Sequence, residues 1–376
     1  SGTETNAFQF LTGGSLTLKN GSIIFANQKT LLIGLQNYCN LTLENMVIDA
    51  SQASAPCQYA ISNNCGTVQF IGNTSIKAYK NQTAFDSCKF GSYEIPTVKI
   101  HTTGTITGDI ELSGGKLEIS AGTFEGNIRT VSGYAKGDAI ITGGTFSSDV
   151  SDYLAKGFSL IANSDGTFGV DRLNESNAAA VVNGTYYGTL AEAVGAAQDG
   201  QTVTVLKDLA TAPVTTSAGI TLDLDGHTLR IVSDTSGVAY GLQFTAGTGV
   251  VKNGTVIDMR GEGKTAQNMI ALNVTGATKV TTSSVEFQTY QPRTLASPYY
   301  NKVVEVSDGG TLTLDAGTVL RDLPNGDDND ETYGAIGVSI MGAGEESAPT
   351  TLTVNEGTRI ETGSAAIMGN GTKHTK

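Results

Sequence analysis

Tryptophan is absent from this sequence, and histidine, cysteine and proline are scarce, at 3, 4 and 7 residues. Each scarcity excludes something. Without tryptophan, an aromatic platform for sugars has to be built from tyrosine. Three histidines and no Cys-x-x-Cys spacing leave no common zinc ligand set. The longest apolar runs, at 31–35 and 178–182, are about a quarter of what a membrane-spanning helix requires, so no membrane insertion is expected of this segment. Basic residues are outnumbered 23 to 36, and the net charge of −13 repels nucleic-acid phosphate and anionic lipid. Nucleic acid is therefore excluded as a main partner. Charged residues make up only 16% of the chain against 39% hydrophobic, a balance too apolar for a disordered tail.

What is abundant is glycine, with 47 residues, and a phrase that returns. Gly14-Ser-Leu-Thr-Leu-Lys-Asn-Gly-Ser22 comes back as Lys116-Leu-Glu-Ile-Ser-Ala-Gly-Thr-Phe124, Ala139-Ile-Ile-Thr-Gly-Gly-Thr-Phe146, Thr311-Leu-Thr-Leu-Asp-Ala-Gly-Thr-Val319 and Thr351-Leu-Thr-Val-Asn-Glu-Gly-Thr-Arg359. In each copy two apolar residues spaced by two point inward, the residues between point outward, and a glycine or asparagine permits a bend. One such unit cannot bury its own apolar row, so neighbours must stack. Further strand phrases fall near Leu41, Val68 and Val98, and then near Leu222 and Val250. Spacings of roughly twenty to thirty residues suit one coil of a parallel β-helix. The expected fold class is all-β: a right-handed parallel β-helix, a solenoid of two tandem units with one short capping helix. Long polar segments at 282–300 and 321–348 are expected to project from one edge as loops.

The two units are expected at 1–170 and 171–376. Phe158-Ser-Leu-Ile-Ala162 and Thr167-Phe-Gly-Val170 flank an Asp-Gly turn, a hairpin pattern that would close the last coil of the first unit. In the second unit Thr189 with Glu192 is a capping box opening a helix at about 189–198, with Leu190, Ala193, Val194 and Ala197 on one face. The four cysteines, Cys39, Cys57, Cys65 and Cys88, all lie in the first quarter, and two readings stand for them: two disulfides, or thiols packed as small apolar side chains. No signal peptide is visible and Ser1-Gly2 is unlike a native start, which suggests a mature or trimmed chain.

Two stretches carry a resemblance. Val181-Val-Asn-Gly-Thr-Tyr-Tyr-Gly-Thr-Leu-Ala-Glu-Ala-Val194, with the segments 200–209 and 220–229 after it, resembles the module start in large surface proteins of Gram-positive gut bacteria, which are mostly uncharacterised. The segment 143–168 resembles the close of the same module. The resemblance implies a right-handed parallel β-helix, export and a tandem arrangement on an extracellular, secreted or cell-surface protein. It brings no catalytic residues with it.

Few residues carry candidate chemistry. Asp223 and Asp225 alternate on one strand with His227 two residues on, the nearest approach to a catalytic group, and Arg293 in a long segment is placed for a sugar acid. The plain reading gives Asp225-Gly226 to a turn and leaves Arg293 solvated. Tyr290, Tyr299 and Tyr300 gather around one insertion as a candidate glycan platform. Asp322, Asp327, Asp328 and Asp330, with Asn329 and Glu331, form the densest set of oxygen ligands; calcium is the one cofactor they suit, the spacing is not that of an EF-hand, and a solvated acidic loop is the simpler account. The expected function is a non-catalytic adhesin or stalk segment presenting loops to glycans or host surface proteins. The alternative is a polysaccharide lyase or glycoside hydrolase of the β-helix type, which requires carboxylates converging in one cleft.

Overall fold

Apolar side chains that alternate with polar ones make strands, and rows of such strands bury one another by stacking coil on coil. The computed structural model describes residues 5–26, 31–53, 57–232, 240–261, 269–291, 301–324, 334–342 and 348–369. The chain divides into two units, Ser1–Arg172 and Leu173–Lys376. Both are all-β, with parallel-rich sheets to which successive coils add one strand after another.

In the first unit a six-stranded sheet runs, in chain order, through Thr5–Phe10, Leu31–Asn37, Tyr59–Asn63, Thr83–Cys88, Asp109–Ser113 and Ile128–Arg129, every pairing parallel. A ten-stranded sheet carries the repeated phrase. In it Leu18, Leu43, Phe70, Ile100, Ile119 and Ile141 fall in register on consecutive strands. Ile48, Ile76, Ile106, Phe124 and Phe146 form a second buried row, ending in two rings stacked at 4.7 Å. Each such side chain contributes about 1.5–3 kcal/mol by leaving water. The long strands bend at Asn20 and Asn45, both at φ 54°, where the Asn45 amide donates to the Asn20 side-chain oxygen at 2.9 Å. The next coil has Gly72 at φ 68°, and a Cβ there would collide with the Asn45 side chain.

The expected hairpin is present. Phe158–Ala162 and Phe168–Arg172 pair antiparallel, and the latter pairs antiparallel with Thr145–Phe146, covering that strand's edge. Asp165 organises the turn by accepting from the Thr167 N–H and hydroxyl.

The second unit opens with the antiparallel pair Ala180–Val182 and Thr185–Tyr187 and the helix Leu190–Ala196, the one α-helix among the described residues. Both bonds of the Thr189–Glu192 capping box are made, and Leu190, Ala193 and Val194 are buried. Parallel stacking then runs through Thr202–Val205, Thr221–Asp223, Thr248–Asp258, Lys279–Tyr290, Thr311–Leu314 and Thr351–Val354. A six-stranded parallel sheet runs through Val214–Thr216, Tyr240–Phe244, Ile270–Thr275, Lys302–Ser307, Ile336–Met341 and Ile367–Gly369.

Two expectations about loops need correction. Residues 282–290 do not project, because they complete the strand Lys279–Tyr290, with Val285 and Phe287 buried in the core. The polar residues that disguised it, Ser283, Glu286 and Gln288, occupy the alternate positions. Likewise 321–348 contains Ile336–Met341, a strand with four consecutive buried residues. No described helix is long and apolar enough to cross a membrane.

Candidate functional site

Among the described residues, the candidates Asp223, Asp225, His227, Tyr290 and Asp322 do not assemble into one site. Asp223 ends its strand, and Asp225 stands in the following turn at φ 47°, so the two do not share a strand face. Asp223 lies 3.0 Å from Lys252 Nζ and accepts from Asn253 Nδ2 and the Asp225 N–H. Burial pushes its carboxyl up, but these bonds outweigh that effect and hold it below the ordinary value. His227 faces elsewhere, with Nδ1 3.6 Å from Asp208, which Arg230 also approaches. Tyr290 ends its strand, its hydroxyl 3.9 Å from Met259 Sδ and its carbonyl accepting from Asn301. Asp322 is buried and accepts the N–H groups of Ala335 and Gly363 at 2.8 Å. Arg293, Tyr299, Tyr300, Asp327, Asp328 and Asp330 lie outside the described residues. Among the described residues no group of three or more His, Cys, Asp or Glu is placed to hold a metal ion. Cys39, Cys57, Cys65 and Cys88 are free thiols, and burial pushes Cys57 up to about 11.

Two other places in the first unit gather chemistry. The first is a groove of about 550 Å³ on the ten-stranded sheet. Parallel register sets Gln69, Lys99, Glu118 and Ile140 side by side on consecutive strands, with Ile71 next to His101. Lys99 Nζ is 2.9 Å from Glu118, and His101 Nδ1 shares a 2.9 Å hydrogen bond with Ser120 Oγ. Thr142 completes the polar lining, while Ile140 is 53% exposed. A volume in the ligand range, with a few polar groups among apolar ones, is what a small binding site needs.

The second place is a polar column on the six-stranded sheet, where Gln36, Ser62, Asp86, Glu111 and Arg129 are successive register partners. Strict alternation fails there. Ala60 with Ile61, and Ala84 with Phe85, are adjacent residues that both enter the core. Asp86 and Glu111 are 4% and 3% exposed. Asp86 accepts from Ser62 Oγ at 2.9 Å and from the Asn63 N–H at 2.5 Å. Tyr59 donates its hydroxyl to Glu111 at 3.3 Å. Arg129 lies 3.1 Å from Asp109 and 3.6 Å from Glu111, and donates to Thr83 Oγ1.

The Asp86 carboxyl is pushed up to about 7, chiefly by burial and further by the Glu111 charge, against the pull of the Ser62 and Asn63 bonds. Glu111 is also raised by burial, with Arg129 and Tyr59 opposing. Cys88 goes up to about 11, from burial and then from the two carboxylates. Nothing in the linear sequence flagged Asp86 or Glu111. The signal was the stacking period, since Ser62 and Asp86 bond across 24 positions.

No known protein family, curated protein or solved structure matches the chain.

Proposed function

We propose that this chain is a non-catalytic segment of a secreted or cell-surface bacterial protein, made of two right-handed parallel β-helix units, that binds glycans through the groove on the ten-stranded sheet. The observation that carries this reading is the separation of cleft and carboxylates. Catalysis on a glycosidic bond needs two carboxyl groups facing one substrate. Among the described residues the groove is lined by one carboxylate, Glu118, which is paired with Lys99, whereas Asp86 and Glu111 are buried on the other sheet. Isoleucine beside Gln69, His101 and Thr142 suits a sugar ring, which has an apolar face and a hydroxyl rim. Right-handedness rests on the near-uniform hand of parallel crossovers, and export rests on the resemblance in the two module-like stretches.

The test is a glycan array followed by titration, with His101→Ala and Gln69→Ala as variants. Saturable binding lost in both variants, with unchanged far-ultraviolet circular dichroism, supports the reading; binding unaffected by either substitution removes the groove from it. A second reading, a β-helix polysaccharide lyase or glycoside hydrolase, is favoured by one observation, the Asp86–Glu111 pair with its raised carboxyl. New reducing ends from a polysaccharide panel, abolished by Glu111→Gln, would establish that reading instead.

A further inference from the structure

Asp86 and Glu111 sit on neighbouring parallel strands as register partners, which places their Cα atoms roughly 4.8 Å apart. As register partners they put their carboxyls on one face of the sheet, Asp86 bonded to Ser62 Oγ and Glu111 to the Tyr59 hydroxyl. Among the described residues one guanidinium serves this face. Arg129 divides its contacts among Asp109, Glu111 and Thr83, and no cation reaches Asp86 among the described residues. Among the described residues the remaining groups around Asp86 are Tyr59, Ser62 and Asn63 on the strand before, Cys88 on its own strand, Glu111 on the strand after, and Tyr38 beyond the strand Leu31–Asn37. None of them brings a positive charge. Tyr38, Tyr59 and Cys88 are all pushed upward, mainly by burial, and stay neutral through mildly alkaline pH.

We propose that Asp86 and Glu111 form a pH-sensitive latch: with Asp86 protonated the pair carries one negative charge and the sheet holds, and release of that proton to solvent leaves two buried negative charges that loosen the strands Thr83–Cys88 and Asp109–Ser113. The sign follows from linkage. An unfolded aspartate ionises near 3.9, whereas the folded one resists ionisation up to about 7, so the stabilisation is complete below the unfolded value and is lost as pH rises through the folded one. The second unit supplies a natural control. Counted from its own tyrosine, Tyr240, the position equivalent to Asp86 is Asn273, which bonds to Gln243 and Glu305 and has no proton to lose in this range. The latch does not depend on the groove binding glycan, and its readout is stability, not binding.

The experiment is hydrogen exchange on the full chain from pH 5 to pH 9, corrected for intrinsic rates, with Ile270–Thr275 and Lys302–Ser307 as internal references. Amides of Thr83–Cys88 and Asp109–Ser113 are expected to lose protection about tenfold or more between pH 6 and 8.5, while the reference strands do not change. In Asp86→Asn the loss disappears. In Glu111→Gln it moves to lower pH, because the neighbouring charge is gone. An equal response in both sheets, or a wild-type response that persists in Asp86→Asn, overturns the latch. Should Asp86→Asn fail to fold, carboxyl-carbon NMR of the wild type decides: an Asp86 midpoint near neutrality supports the latch, and one near 4 overturns it.

Discussion

The two six-stranded sheets solve one packing problem with opposite electrostatics. Each carries a tyrosine near a glutamate two strands further on: the Tyr59 hydroxyl donates to Glu111 in the first unit, and in the second burial and then the Glu305 charge push Tyr240 up. In each, two adjacent apolar residues enter the core, Ala84 with Phe85 and Val303 with Val304. The difference lies in what surrounds the glutamate. The second unit has Lys302, with Nζ 2.6 Å from Glu305, where the first has Asp109, and it has Asn273 where the first has Asp86. A buried carboxylate with a cation and an amide beside it is nearly neutral as a group; one beside a second carboxylate is not. Burial alone therefore does not make a charge sensitive to pH, and its neighbours one coil away decide.

That contrast can be broken in either unit. The largest effect is expected from Lys302→Met, which strands Glu305 without its cation: the second unit should lose about 3–5 kcal/mol, seen as a lower urea midpoint for exchange in Lys302–Ser307. Next, Asn273→Asp should import the behaviour of the first unit, destabilising the second by on the order of 2 kcal/mol at pH 8 and by much less at pH 5, so that midpoints measured at the two pH values diverge. Smallest, Tyr59→Phe removes a hydroxyl donor to buried Glu111 and should cost about 1 kcal/mol by thermal denaturation, with Tyr240→Phe, next to the Glu305 charge, measured beside it. Equal costs would mark the tyrosine as the shared part of the two columns and the cation as the part that differs.

Much of the fold was legible because the long-strand sheets write their apolar rows at every second position and bend at asparagine or glycine. Leu16, Leu41, Val68, Val98 and Leu117 are register partners as their phrases suggest. The capping box and the hairpin were legible for a local reason, since every residue involved lies within a few positions of its partner. The six-stranded sheets were not. Double inward residues interrupt their alternation, and a strand such as Lys302–Ser307, buried at all six positions, shows no period of two. The candidate chemistry stayed hidden for a related reason. Asp223, Asp225 and His227 are neighbours in sequence but turn away from one another after the positive-φ turn, whereas Asp86 and Glu111 meet only once the intervening coil closes.

In-register stacking also changes what proximity means along this chain. A residue's most intimate partner is often the one a full coil away: Asn37 bonds Asn63 across 26 positions, Ser62 bonds Asp86 across 24, Gln243 bonds Asn273 across 30 and Asn273 bonds Glu305 across 32. A map of pairwise mutational epistasis should therefore be striped, with bands parallel to the diagonal whose offset shifts wherever an insertion lengthens a coil, and a compensating change is best sought not beside a damaged position but one stripe over.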